Sequence, residues 1–262
     1  MIHKTAIIYE GAKISENVEI GPYCVIGPKV FIDSGTRLHS HVNIFGNTKL
    51  GLNNEIYPFA TIGNDPQDLK YQGEENSLII GNNNKIREYV NINPGTKGGG
   101  GETKIGNDNL FMVFSHIAHD CQIGDKIVLA NNVQVGGHVQ IENNAIVGGT
   151  CAIHQHSRIG ELAMIGGMTG VLSDVIPYGL ALGNRNYLNG LNLIGLRRAK
   201  ISNNNIKLIN QAYNEIFKSI TYRENIENLS NELKKNEFVD KIIRFINSDK
   251  KRPICVPENI KW

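Results

Sequence analysis

Residues 117–159 read IAHDCQIGDKIVLANNVQVGGHVQIENNAIVGGTCAIHQHSRI. An aliphatic side chain opens every group of six, from Ile117 through Ile123, Leu129, Val135, Ile141, Val147 and Ile153 to Ile159. The beat runs on through Ile165 to Val171 and, with Phe111 taking one place, back to Ile105. One residue out of phase, it occupies Ile80, Ile86 and Ile92, and every sixth position from Ile8 to Ile62. That makes 25 anchors. In most hexads a second small or β-branched residue follows four places later, as at Cys24, Val42, Ala60, Val133 and Ala145.

A period of six belongs neither to an amphipathic helix nor to a plainly alternating strand. It fits a short strand followed by a sharp bend, with each anchor pointing into a shared core. Glycine and asparagine between anchors are expected to accommodate the bends. Three hexads make one triangular coil. The anchors then fill about eight coils stacked at the strand spacing of about 4.8 Å, a parallel β-helix.

The register breaks at 64–78, NDPQDLKYQGEENSL, and at 97–103, KGGGGET. Both read as loops extruded from a corner of the solenoid. The glycine run lacks the Gly-Lys-Ser/Thr of a phosphate-binding loop, so a flexible tip is the expectation there. The repeat stops at Pro177, which places a β-helix over 1–184 and a helical domain over 185–262. Ser202 is a plausible N-cap. Ile206, Ile209, Tyr213, Ile216, Phe217 and Ile220 form the apolar stripe of a first helix. Ile226, Leu229 and Leu233 suggest a second, and Phe238, Ile242, Phe245 and Ile246 a third, before Pro253. These helices are suited to cover the open end of the solenoid.

The 262 residues carry a net charge of +2, with no excess that would mark a nucleic-acid binder. The charge is split: 185–262 hold 15 Lys/Arg against 8 Asp/Glu, and 1–184 hold 12 against 17. A basic tail suits an acidic partner or phosphate groups. Cys24, Cys121, Cys151 and Cys255 are scattered with no CxxC, which points to a reducing compartment and away from a metal ribbon. The start, MIHKTAIIYEGAK, is no signal peptide, and no stretch reaches the roughly 20 apolar residues of a membrane helix. A cytoplasmic protein without an integral membrane segment is expected.

Hexads at Ile117, Val135 and Ile153 lie one full coil apart and so share a face in adjacent coils. They carry His119, His138, and His154 with His156, and His116 is expected at the corner just before His119. A lone histidine is usually structural; several on neighbouring rungs, off the anchor positions, make a candidate site. Two chemistries can use it: three imidazoles on a catalytic zinc, or general base catalysis with Asp120 orienting an imidazole.

Together SHIAHDCQIG, LANNVQVGGHV, GGTCAIHQ, NDPQDLKY and GLRRAKIS resemble the bacterial acyl-carrier-protein–UDP-N-acetylglucosamine O-acyltransferases, which make the first acylated precursor of lipid A. The resemblance spans the whole chain. It implies a left-handed coil and transfer of a 3-hydroxyacyl group from the phosphopantetheine of acyl carrier protein to the sugar 3-position. No metal, bound cofactor or covalent enzyme intermediate is implied. By resemblance His119 is the base, Asp120 its partner, and the Gly137 N–H the oxyanion donor. His138, His154 and Gln155 match substrate contacts, and His116 a residue near the acyl donor. Asp68 and Lys70 match sugar or acyl contacts, Arg198 a nucleotide-phosphate contact, and Gly167 the acyl-length gauge. A homotrimer with the site between neighbours is implied as well.

The chain departs from the family pattern at Ile194, where an acid is expected, at Ala199, where a second arginine is, and at Arg185, where a histidine is. These changes leave a 3-hydroxyl and a 3-amino acceptor both open. Rival readings are a zinc carbonic-anhydrase-like β-helix, a coenzyme-A-dependent hexapeptide acetyltransferase and a non-catalytic scaffold. A later N-acyltransferase of lipid A assembly would carry a further N-terminal domain, whereas hexads here begin by Ile8.

Overall fold

The computed structural model describes residues 1–249 and 251–260. Twenty-five strands of two to four residues, β1 (Ile7–Ile8) to β25 (Gly170–Val171), each end on one of the 25 anchors. Strands three apart in sequence pair in parallel, so the chain winds through three sheets that form the faces of a prism. Ile117, Val135 and Ile153 stand in register on one face, each a coil beyond the last. All anchors are buried except Ile8 and Ile14 at the open N-terminal end, which are half-buried. Each buried aliphatic side chain contributes roughly 1.5–3 kcal/mol, which is what makes strands this short stable.

The loops are measured by the pairing. Ile62 pairs with Ile92, five hexads on instead of three. Ile92 pairs with Ile117, four hexads and one further place on. The first insertion therefore adds two hexads and preserves the phase. The second adds one hexad and one residue, which is the phase step seen in the sequence.

The bends are made only in part as expected: asparagine takes the left-handed position at Asn17, Asn53, Asn83, Asn132 and Asn144, and glycine at Gly11 and Gly35, but other residue types do so as well. Every sixth residue from Asp108 to Met168 sits near φ +60°, and none of these is glycine. This left-handed geometry is uncommon for a non-glycine residue, and regular stacking holds it here. The glycines one place past an anchor serve close approach instead: a Cβ on Gly148 would lie 2.5 Å from the Gly167 nitrogen of the next coil. Inside one corner, Asn54, Asn84 and Asn109 form a buried ladder. Asn54 Oδ1 accepts from the Asn84 N–H (2.9 Å), Asn84 Oδ1 from the Asn109 N–H (3.0 Å) and Asn109 Oδ1 from the Ile127 N–H (2.7 Å).

Beyond the last coil, β26 (Gly179–Leu182) and β27 (Tyr187–Leu191) form an antiparallel hairpin across residues 184 and 185, where the sequence suggested a change of domain. Helix α1 (Leu193–Arg198) follows, ahead of the expected first helix and capped by Asn192. Helix α2 (Asn203–Ile216) starts at the Ser202 cap, whose side chain accepts from the Asn205 N–H, and ends before Ile220. The expected second helix is two, α3 (Tyr222–Glu227) and α4 (Asn231–Lys235), because Ser230 restarts the chain as an N-cap. Helix α5 (Glu237–Ser248) contains the expected third stripe. The tail is bound to the last coils by buried Asp174, which takes Arg158 at 2.7 Å and Arg252 at 2.8 Å. Among the described residues no helix is long and apolar enough to cross a membrane.

Candidate active site

One edge of the prism gathers the site. Both loops leave from it, after β10 (Thr61–Ile62) and β13 (Asn91–Ile92). Three coils with ordinary corners follow along the same edge, after β16 (His116–Ile117), β19 (Gln134–Val135) and β22 (Ala152–Ile153). Two places past the anchors stand His119, Gly137 and Gln155; three places past stand Asp120, His138 and His156. The latter three have φ of 60°, 61° and 64°. The bend thus stacks their side chains along the edge.

His119 and Asp120 are a buried pair. Their side chains are 6% and 0% exposed, and Nδ1 of His119 lies 2.7 Å from Oδ2 of Asp120. A carboxylate only accepts, so Nδ1 carries the proton and Nε2 keeps a lone pair, as a general base requires. Gly137 lies against this ring: a Cβ there would sit 2.6 Å from Cε1 and 2.7 Å from Nε2 of His119. Only glycine fits. Its N–H donates to no protein acceptor among the described residues. His138 meets His119 edge-on at 5.0 Å between centroids and stacks on His156 at 4.3 Å. Burial lowers the pKa of His138, opposed by the charge of Asp120 and, more weakly, of Asp68. Burial thus favours the neutral form of His138.

His154 and Gln155 are exposed at the same edge one coil further on. His116 is not at a corner as expected. It is the outward residue of β16, between Asn91 and Gln134 on the sheet face. Burial lowers its pKa too, and its Nδ1 is buried without a partner. Asp68 and Lys70 overhang the edge from the first loop, where Asp68 Oδ1 accepts the Lys70 N–H at 3.0 Å. With Gln72, Glu74, Thr96 and Lys97 they line a polar cavity of about 510 Å³ between the two loops.

Arg198 and Gly167 lie elsewhere on the molecule. Arg198, on α1, lines an apolar groove of about 870 Å³ over the sheet containing β18 (Val128–Leu129), β21 (Ile146–Val147) and β24 (Met164–Ile165), together with Ile194 and Ala199. Gly167 is exposed at the corner between β24 and β25, the opposite edge of the His116 face.

The glycine run, read from sequence as a flexible tip, is exposed over 97–100 but is anchored at its base. Residues 97–99 form a 3-10 turn. Thr96 donates to both carboxylate oxygens of Asp120, through N–H at 2.8 Å and through its hydroxyl at 2.6 Å. The Asp120 N–H donates to the Thr103 hydroxyl at 2.8 Å. Thr96, Gly99 and Thr103 escaped the sequence reading, since no periodicity marks them.

His119, Asp120 and His138 offer donor atoms within 4.8 Å of one another, as a metal site would. Here, however, the carboxylate already accepts three hydrogen bonds and Nδ1 of His119 is turned onto it, an arrangement suited to moving a proton. Cys121, next in the chain, is no nucleophile: burial pushes its thiol up to about 12, and Sγ donates to the Gly136 carbonyl at 3.2 Å.

This buried His119–Asp120 pair stands on hexapeptide coils, and the chain is an acyltransferase of the hexapeptide-repeat class. The family model described as bacterial transferase hexapeptide (six repeats) matches residues 102–137, and that described as UDP N-acetylglucosamine O-acyltransferase, domain 2, matches 174–255. The acyl-[acyl-carrier-protein]–UDP-N-acetylglucosamine O-acyltransferase of Thermodesulfovibrio yellowstonii is 48% identical over 255 residues, 97% of this chain and 98% of the relative. The solved LpxA of Acinetobacter baumannii superposes with a TM-score of 0.92 at 46% identity, covering 97% and 99% of the two chains. The UDP-N-acetylglucosamine acyltransferase of Campylobacter jejuni does so with 0.92 at 36% identity, covering 98% and 99%. The chain belongs to the acyl-[acyl-carrier-protein]–UDP-N-acetylglucosamine O-acyltransferase family and has its left-handed parallel β-helix. The zinc, coenzyme-A and scaffold readings give way to this one.

Proposed function

We propose that this protein transfers a 3-hydroxyacyl chain from acyl carrier protein to the 3-position of UDP-N-acetylglucosamine, the first step of lipid A biosynthesis. The observation that carries the chemistry is the buried His119–Asp120 pair under Gly137. Nε2 of His119 takes the proton of the sugar 3-hydroxyl as its oxygen attacks the thioester carbonyl. The Gly137 N–H stabilises the resulting oxyanion. Asp120 balances the imidazolium. As the intermediate collapses, the C–S bond breaks and the imidazolium returns the proton to the phosphopantetheine thiolate. The protein needs no bound cofactor for this sequence, since the donor brings its own phosphopantetheine.

In this reading His138, His154 and Gln155 contact the acceptor, with Asp68 and Lys70 closing over it. His116 lies beside the acyl chain, Gly167 marks the end of the groove, and Arg198 meets the nucleotide phosphates. Arg198 and His119 occupy different faces of one prism, which supports a homotrimer in which one subunit's Arg198 serves its neighbour's His119. A coil domain over 1–184 and a basic domain over 185–262, docking the acidic carrier protein, complete the division of labour. A cytoplasmic setting fits the thiols of Cys24, Cys121 and Cys151, which donate to backbone carbonyls.

The test offers 3-hydroxyacyl carrier protein with UDP-N-acetylglucosamine, with its 3-amino analogue, or with neither, and acetyl coenzyme A as the competing donor. Transfer from the carrier protein to either sugar supports the reading, and the preferred sugar names the acceptor. Transfer only from acetyl coenzyme A would replace it.

A further inference from the structure

We propose that Thr96 is a positioning residue for acyl transfer and that the glycine loop exists to hold the Asp120 carboxylate on His119. This rests on the assignment of His119 as base. Two imidazoles stand near Oδ2 of Asp120: Nδ1 of His119 at 2.7 Å, within hydrogen-bond distance, and Nδ1 of His138 at 3.9 Å. A carboxylate turning about its Cβ–Cγ bond can serve either ring. Thr96 removes that freedom, because its N–H reaches Oδ1 at 2.8 Å while its hydroxyl reaches Oδ2 at 2.6 Å. Two donors from one residue, one on each oxygen, define the carboxylate plane.

Gly99 presses on the same group. A Cβ there would collide with Cγ and both oxygens of Asp120, so only glycine allows the loop to close. The rest of the loop serves this contact. Gly100 and Gly101, at φ of 101° and 83°, turn the chain back so that the N–H groups of Gly99 and Gly101 both donate to the Thr96 carbonyl, at 3.0 and 2.8 Å. From the first loop, Glu74 Oε1 accepts the Lys97 N–H at 3.2 Å and braces the turn from outside. Gly99, Gly100 and Gly101 are thus the means by which the loop is folded onto a buried carboxylate.

Thr96→Val keeps the β-branched shape and the N–H and removes the hydroxyl donor. The expected result is a kcat about 10- to 100-fold lower with the KM for UDP-N-acetylglucosamine within about 2-fold, because orientation of the base is lost and ground-state binding is not. Thr96→Ser, which restores the donor, is expected to recover kcat to within about 3-fold. In protein labelled with ¹⁵N-histidine, the Nδ1–H signature of His119 should be lost in the valine variant and kept in the serine variant. A folded Thr96→Val enzyme with wild-type kcat, a loss expressed in KM, or an equal loss in Thr96→Ser would each overturn the proposal. Should the valine variant not fold, Gly99→Ala, which forces a methyl onto the carboxylate, is read by the same split. His119→Ala run in parallel separates the two layers. If it loses activity while Thr96→Val does not, only the positioning role falls; if it retains activity, the base assignment falls and the positioning role with it.

Discussion

His119 sits in a bend where neighbouring coils carry Gly137 and Gln155. Its burial and its bond to Asp120 separate it from the other histidines on this edge, since His154 and His156 are exposed. His119→Ala is expected to lower kcat about 10²–10⁴-fold, the usual range for removing a general base, with the thermal midpoint as control for folding. Gly167 is a different kind of residue. A Cβ there meets only the Gly149 backbone, at 3.4 Å and beyond, so the position tolerates a side chain. Gly167→Met should therefore fold, and it should shift donor preference towards shorter 3-hydroxyacyl chains, since each methylene denied burial forfeits about 0.8 kcal/mol. Comparing carrier-protein donors of graded length checks this; an unchanged length profile would place the end of the groove elsewhere.

At the scale of elements, the strands are legible from sequence because each contributes one anchor and the period leaves no other face to bury. The loops are not. Thr96 and Asp120 are well separated along the chain, and nothing in KGGGG says that the loop closes downward. The asparagine ladder is equally silent, since Asn54, Asn84 and Asn109 look like surface residues until the corner encloses them. Asn84→Ala leaves the Asn109 N–H and the Gly106 carbonyl without their partners inside that corner. A loss of about 1–3 kcal/mol is expected for such a cut in a buried network, read as a lower urea midpoint. An unchanged midpoint would mean that water takes the place of the amide.

At the scale of the whole molecule, charge and shape are divided along the chain. The basic balance after residue 185 includes Arg197, Arg198, Lys200 and Lys207, all exposed on or near α1 and α2. Attraction of an acidic carrier protein by such groups is screened over about 10 Å at 0.1 M salt. The KM for the acyl donor is accordingly expected to rise with ionic strength while kcat changes little. A donor KM independent of salt would remove the tail as the docking surface. If the proposed trimer brings one subunit's Arg198 to its neighbour's His119, dissociated subunits should lose acceptor affinity together with activity.

The sequence by itself determined the prism, its 25 anchors, the neighbouring coils that carry the histidines and the places where loops leave the repeat. Those follow from a strict period, and a period is a local property that each hexad states again. Only the tertiary structure decided which histidine is buried against Asp120 and which stay outside. It also brought Thr96 and Gly99 onto the Asp120 carboxylate and placed Arg198 and Gly167 away from the pair. Those outcomes depend on contacts between coils and across loops of unequal length. Burial and the approach of two imidazoles to one oxygen exist only once the coils are stacked.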